Sequence, residues 1–293
     1  MNNKNKISLS FDIEDLYSIR NRKLSQSQDF TNHHEGGFDC ITEPTIRILN
    51  LLNDKNIKAT FFIVADILDR YPLLSKKIRE SCHEIGCHSM YHEIPKKNPE
   101  KYEIDIWESD LVFSKNKLEN FFDKKIIGYR APSAYLYDWM LDLLIKNEFL
   151  YDASVSNNNF YNKTNLINKN ISGKPYLIKK IDNKKLIELP FNTWPILGFN
   201  LPFSGAFFYR LFGNNFANMS LRKSLSLSHT SFYMHPLDFS NDKFSTEVGI
   251  KKMIYWINKG DKTFTKFEKL THIYRNSLCS CDQILRVLEK EKF

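Results

Sequence analysis

The chain has 293 residues, 42% hydrophobic and 26% charged, which is enough apolar material for a large core in one α/β domain or two smaller ones. The formal net charge is +8. The lysines are scattered among asparagines, as in 2–6, 96–98 and 162–170; without a basic stripe or a motif, this argues against nucleic-acid binding. No apolar h-region follows the start, no apolar run reaches about 18 residues, and the five cysteines are odd in number. The expectation is a cytoplasmic protein with reduced thiols and no transmembrane segment.

The short apolar run Ile7–Phe11 predicts a strand. Thr42 as N-cap, Pro44 in the first turn, and Ile46, Leu49 and Leu52 on one face predict a helix over 42–55. Ala59–Val64 reads as a second strand, Leu73–Ser81 as a helix and Glu84–Cys87 as a short strand. Ile104, Trp107, Leu111 and Leu118 have helical spacing; Ile126–Tyr129 is a strand and Trp139–Lys146 a helix. Tyr151–Val155, Leu186–Pro190 and Ser231–Met234 read as strands, Trp256 as part of a helix and Thr263–Phe267 as a late strand. The Asn- and Lys-rich segment 156–183 reads as a surface insertion. No repeat or linker divides the chain, so one domain over 1–293 is expected. Strands alternating with helices imply βα units and a parallel sheet or barrel.

The chemistry concentrates where predicted strands end. His88 and His92 are four residues apart, and spacing of that kind on one helical turn projects both imidazoles from one side. With one carboxylate from the cluster Asp12, Glu14 and Asp15 they form a two-nitrogen, one-oxygen set suited to a divalent metal with open positions. A second carboxylate is then available as a base toward water. Arg130, Asp152 and His235 also sit at strand ends, and residues at the C-terminal ends of barrel strands meet at one mouth. His83 precedes its strand and reads as structural, while Cys82 and Cys87 read as small residues flanking a turn rather than as a zinc knuckle.

Six ordered segments carry a family resemblance: SFDIED at 10–15, ATFF at 59–62, HEIGCHSMYH at 83–92, GYRAPS at 128–133, YDASV at 151–155 and FYMHP at 232–236. Together they resemble the polysaccharide deacetylase (NodB-homology) family over roughly residues 7–240, and the Asp-Ile-Glu-Asp form is similar to an Asp-Val-Glu branch found with polysaccharide biosynthesis. The resemblance implies a distorted (β/α) barrel with fewer than eight regular strands, in which 241–293 completes the barrel and 264–270 supplies the last strand. It implies metal-dependent removal of N-acetyl groups from amino sugars.

Residue by residue, the resemblance makes Asp12 the base, His88 and His92 metal ligands, Arg130 the partner that holds the base carboxylate, His235 the general acid and Asp152 the group that orients it. Ser89 is expected to bond backbone in the loop. The family's usual second aspartate is replaced by Ile13. Side chains alternate along a strand, so Glu14 faces the same side as Asp12 and can act as the carboxylate ligand; Asp15 is the alternative if the strand ends before it. Pro132 shapes one groove wall, Tyr233 stands where the family lines its acetyl pocket with leucine, and Gly205 begins an aromatic stretch, with Phe207, Phe208, Tyr209 and Arg210, that reads equally as a sugar-facing lip or as core. Zinc is the expected ion, with cobalt, nickel or manganese as alternatives. An N-acetylated sugar, nucleotide- or lipid-linked, or a nascent glycan at the inner membrane face, fits a cytoplasmic enzyme. Two rivals stay open: a metal-free hydrolase of a cyclic amide on the same scaffold, and a non-catalytic carbohydrate-binding protein.

Overall fold

The computed structural model of the chain describes residues 4–16, 18, 39–156, 173–242 and 257–291. Strand β1 (Ile7–Ile13) is the spine of the fold, buried at all seven positions. A strand covered on both faces needs no polar face, and apolar residues here alternate with small serines until Asp12 near the strand's C-terminal end. It pairs in parallel with β10 (Thr230–Met234) on one side; on the other it pairs with β2 (Thr60–Ile63) along Ser10–Ile13 and with β11 (Leu278–Cys279) at Ile7 and Ser8. Beyond β2 follow β3 (Glu84–Cys87), β4 (Gly128–Tyr129) and β5 (Tyr151–Asp152), all parallel, then β7 (Lys184–Glu188) and the antiparallel edge strand β6 (Tyr176–Ile181). The sheet runs β10-β1-β2-β3-β4-β5-β7-β6, so its two ends, β10 and β6, are not hydrogen-bonded to each other. The barrel expected from the resemblance is thus a curved, open α/β half-barrel.

The two faces of the sheet are packed differently. Ile7, Leu9, Phe11 and Ile13 join the large core under the helices α1 (Thr42–Asp54), α2 (Ile67–Arg70), α3 (Pro72–Glu80), α4 (Lys101–Phe122), α5 (Asp138–Lys146), α6 (Ala206–Leu227) and α7 (Asp261–Tyr274). Phe11 meets Phe61 at 5.3 Å and the edge of Phe267 at 5.8 Å. A second cluster, Phe62, Tyr151 and Ile187, packs against Ile284, Leu285 and Leu288 of α8 (Cys281–Lys290). The α8 N-terminus is tied to the sheet by Cys281 N–H to Thr60 Oγ1 (2.8 Å) and Asp282 N–H to Glu84 Oε2 (2.9 Å). That leaves the C-terminal strand ends as the open rim. A cavity of about 690 Å³ at the other strand ends, walled by Ile127, Leu150, Ile187 and Leu288, holds none of the expected site residues.

Most predicted elements lie within a few residues of the observed ones, the ordinary uncertainty of element ends. The α1 start differs in chemistry: Asp39, not Thr42, accepts the N–H groups of Ile41 (3.2 Å) and Thr42 (2.9 Å). Thr263–Phe267, and 264–270 as the last strand, are corrected: these residues lie in α7, where Thr263, Phe267, Leu270 and Tyr274 are buried at helical spacing. Five residues are too few to separate the two periods; the last strand is β11. Part of the expected insertion 156–183 is strand β6, while 157–172 and Trp256 fall outside the described residues. The sequence reading also lacks α6 and the hairpin of β8 (Thr193–Ile196) and β9 (Phe199–Pro202). Gly213 interrupts α6 at φ 69°, which hides its periodicity.

Candidate active site

The ends of β1, β3, β4 and β10 bring Asp12, Glu14, His88, His92, Arg130 and His235 to one rim. Asp12 is the last inward residue of β1, registered opposite Phe62. Glu14 follows one residue past the strand, yet keeps the alternation. His235 Nε2 lies 3.6 Å from Asp12 Oδ2 and 3.4 Å from Glu14 Oε1, so both carboxylates do face one side. Asp15 turns away. Its Oδ1 accepts Ser18 N–H (2.8 Å) and Oγ–H (2.7 Å), and its Oδ2 accepts Tyr71 O–H (2.8 Å) and the Arg70 guanidinium. Burial would raise its pKa, but Arg70 outweighs this and lowers it. Of the two rival carboxylates, Glu14 is the one aimed at the histidines.

Past β3 the chain does not enter a helix, contrary to the geometry assumed for a histidine pair at this spacing. Residues 88–92 form a tight loop with Ser89 (φ 66°) and His92 (φ 63°) left-handed. Such backbone costs of order 1–3 kcal/mol per residue and is held only when neighbours over-determine it. Here Ser89 Oγ accepts His92 N–H at 2.9 Å, the expected backbone bond, while Ala65 N–H and Asp66 N–H donate to Ser89 O and Met90 O. The turn sets the two imidazoles 4.9 Å apart and nearly perpendicular. His88 Nδ1 lies 2.7 Å from Arg130 O. A carbonyl there selects the Nδ1–H tautomer and leaves the Nε2 lone pair toward Glu14, 3.8 Å away. Donor atoms of Glu14, His88 and His92 lie within 4.8 Å of one another, and all three residues are buried. Burial alone would raise the Glu14 pKa, but His92, His88 and His235 hold it well below the usual carboxylate value. An ionised carboxylate beside imidazole lone pairs fits a divalent cation.

Arg130, 2% exposed, donates to Asp12 Oδ1 at 2.5 Å and from Nε to Ala153 O at 2.9 Å. Its guanidinium lies over the rings of Phe62 (4.1 Å) and Phe191 (4.8 Å), with Tyr233 at 5.4 Å. Aromatic faces suit a weakly hydrated planar cation. Removing one partner of a buried pair strands the other charge. Arg130→Leu should therefore lower the unfolding free energy by about 3–5 kcal/mol, measured by urea denaturation; a change under about 1 kcal/mol would mean that the pair does not hold the rim together.

Asp152 is placed differently from the expectation. Its Oδ1 accepts Ser154 N–H (2.9 Å) and its Oδ2 accepts Ser154 Oγ–H (2.8 Å), while Ser154 Oγ accepts Ala131 N–H (2.7 Å). Burial raises the Asp152 pKa, and burial followed by repulsion from Asp152 raises that of its neighbour Glu188. This chain of bonds holds the loop of Arg130, Ala131 and Pro132. The carboxylate on the Nδ1 side of His235 is instead Asp238, whose Oδ2 is 3.5 Å from that nitrogen. Burial tends to lower the His235 pKa, but Asp238, Glu14 and Asp12 raise it to about 9. The sequence reading missed Asp238; its spacing of three from a strand-end histidine was the available signal.

The remaining expected residues line the same rim. Pro132 is buried at the head of a 3₁₀ turn. Tyr233 lies 4.3 Å from Phe191 and 5.7 Å from His235, ring to ring. Gly205 (φ 81°) donates its N–H to Tyr233 O at 3.0 Å, and a Cβ there would run into the Tyr233 ring. Of the aromatic stretch, Tyr209 and Arg210 are fully buried and belong to the core, whereas Phe207 and Phe208 are half-buried. His83 is a structural histidine: it stacks on Phe61 at 5.1 Å, and burial lowers its pKa to about 4. All five cysteines are free thiols, with Cys82 in the turn and Cys87 in β3. No helix among the described residues is long and apolar enough to cross a membrane.

An ion-paired carboxylate, an imidazole and a compact donor set thus meet on the C-terminal rim of a curved α/β sheet, where such folds carry their active sites. Residues 34–150 match the family model of the polysaccharide deacetylases, and 161–286 match a domain of unknown function, DUF3473. Residues 34–150 are thus a polysaccharide deacetylase (NodB-homology) segment, followed by a DUF3473 segment over 161–286. The DUF3473 segment is not a separate sheet, since it supplies β10 and β11 beside β1. Strand β1 precedes the matched residues, so the assignments of Asp12 and Glu14 rest on geometry.

The chain is 30% identical over 114 residues to a peptidoglycan deacetylase of Helicobacter pylori, covering 39% of this chain and 38% of that protein. It is 33% identical over 104 residues to a peptidoglycan-N-acetylglucosamine deacetylase of Bacillus cereus, covering 34% and 46%. The matches thus span less than half the length of these relatives. Among solved structures it resembles a polysaccharide deacetylase-type protein of Mycobacterium smegmatis, with TM-score 0.62 and 16% identity over 100% of this chain and 93% of the other. That likeness establishes the fold; the reaction depends on the residues at the rim.

Proposed function

We propose that the protein is a metal-dependent carbohydrate N-deacetylase acting on an N-acetylated amino sugar or glycan. The observation that carries this reading is the convergence of Asp12, His235 and the Glu14, His88 and His92 set on one rim. Glu14, His88 and His92 would hold the ion, zinc first. When bound, a divalent cation polarises the amide carbonyl and activates water beside it. Asp12 is the base: its Oδ1 is held by Arg130, leaving Oδ2 toward the reacting atoms to take the proton of the attacking water. His235, more open to the mouth than either carboxylate at 16% side-chain exposure, donates a proton from Nε2 to the departing nitrogen. Water adds to the carbonyl, the C–N bond breaks, and acetate and a free amine leave. Pro132, Tyr233 and Gly205 shape the acyl and sugar walls, and the bulk of Tyr233 favours a small acyl group.

The relatives' names point to an N-acetylglucosamine-containing glycan as the first substrate class to try. A nucleotide- or lipid-linked sugar or nascent glycan, handled on the cytoplasmic side during polysaccharide biosynthesis, is the finer reading. The test pairs metal content of the purified protein with acetate release from N-acetylated oligosaccharides, lipid-linked sugars and nucleotide sugars. One zinc per chain and acetate release that stops on chelation and returns with zinc are expected. Turnover of a cyclic ureide that is unchanged in chelator would overturn the reading in favour of a metal-free hydrolase. Glycan binding without acetate release under any metal would leave a binding protein.

A further inference from the structure

The residue expected to orient His235 is engaged elsewhere, and the protein fills that position from a different part of the chain. Asp238 and Arg210 are both fully buried, 28 residues apart in sequence, and ion-paired through Asp238 Oδ1. The other carboxylate oxygen, Oδ2, accepts His235 N–H at 2.8 Å and lies 3.5 Å from His235 Nδ1. The Asp238 N–H donates to His235 O at 3.0 Å, which closes the turn that carries both residues. Asp238 O in turn accepts Gly260 N–H at 2.8 Å, which pins the turn to the start of α7. On the opposite edge of the ring, Nε2 faces Asp12 and Glu14.

A fully buried ion pair adds little net stability compared with apolar packing of the same volume, because both charges lose their hydration. What such a pair supplies is direction: a guanidinium fixes one carboxylate oxygen and thereby aims the other. We infer that Asp238, clamped by Arg210, is the positioning residue for His235: it keeps the proton on Nδ1 and points Nε2 into the mouth. Arg210 lies on α6 within the DUF3473 segment, so this segment completes the site rather than merely packing against it. The inference rests on the acid role proposed for His235, since a ring held this way can deliver its Nε2 proton and be left as the Nδ1–H tautomer.

Two readouts on the whole 293-residue chain, loaded with zinc, test this. The first does not depend on turnover: at a pH above the ring's own titration, where the imidazole is neutral, nitrogen chemical shifts of His235 should report Nδ1–H in the wild type and a mixed or reversed tautomer in Asp238→Asn. The second is kinetic. On an N-acetylated oligosaccharide Asp238→Asn should lower kcat by about 10²-fold with KM changed less than about threefold. Asp238→Glu should recover part of the loss, and Asp238→Asn should add nothing further to His235→Ala. If Asp238→Asn does not fold, Arg210→Lys, which keeps the charge but loses the fork, carries the same expectations. An unchanged tautomer, or losses that add in the double variant, would overturn the positioning role. A wild type inactive on every amide would overturn the deacetylase reading, while the tautomer result would still decide what Asp238 does to the ring.

Discussion

Asp12→Asn is expected to reduce turnover by about 10²–10⁴-fold, the range typical of losing a positioned proton acceptor, while the folded protein keeps its metal. Asparagine has the shape of aspartate. Its carbonyl oxygen can still accept from Arg130, which now reaches Asp12 Oδ1 at 2.5 Å, so the buried guanidinium is not left bare. Its amide nitrogen would then replace Oδ2, the atom 3.6 Å from His235 Nε2, and an amide cannot take a proton from water. The comparison is kcat on an N-acetylated oligosaccharide together with zinc per chain. Were Asp12→Asn to strip the zinc and Glu14→Gln to retain it, the roles of base and ligand would be exchanged.

The second large effect concerns the donor set itself. His88→Ala removes the Nε2 that faces Glu14, and with it the Nδ1 contact to Arg130 O that fixes the ring. Zinc affinity should fall by more than the roughly 10–100-fold seen when only an outer partner of a ligand is lost, and turnover should vanish with it. Glu14→Gln should behave likewise, because the neutral amide gives up the charge that His92, His88 and His235 surround. Asp15→Asn is the control. Its side chain belongs to Arg70, Tyr71 and Ser18, so this variant should lose stability but bind zinc as tightly as the wild type. Isothermal titration of the metal-free protein separates the three; zinc lost from Asp15→Asn and kept by Glu14→Gln would make Asp15 the ligand.

These expectations connect the fold to the site. The rim exists because parallel strands all point their C-terminal ends the same way, and α8 occupies the other end of the sheet. The strained turn at Ser89 and His92 persists because the chain just past β2, at Ala65 and Asp66, holds it through backbone bonds. Two family models cover consecutive parts of the chain, yet both feed one sheet. His235 comes from the second part, and His88 and His92 from the first.

The sequence by itself determined what is local. Apolar runs of four to seven residues located β1, β2 and β10. Polar residues at the ends of β1, β3, β4 and β10, namely Asp12, His88, Arg130 and His235, marked the rim, because strand termini are where a chain tolerates charge. The period of two along β1 placed Asp12 and Glu14 on one side. Tertiary structure decided everything that depends on which distant groups meet. It chose Glu14 over Asp15, because Arg70 and Tyr71, 55 and 56 residues away, claim the latter. It gave Asp152 to the Arg130 loop and Asp238 to His235, with Arg210 behind it. It turned Thr263–Phe267 into helix by burying one side of a longer segment. Backbone periodicity is written in adjacent residues, but the partner of a buried charge is set by desolvation: such a group takes whichever opposite charge the packed fold brings within reach, and no spacing along the chain records that.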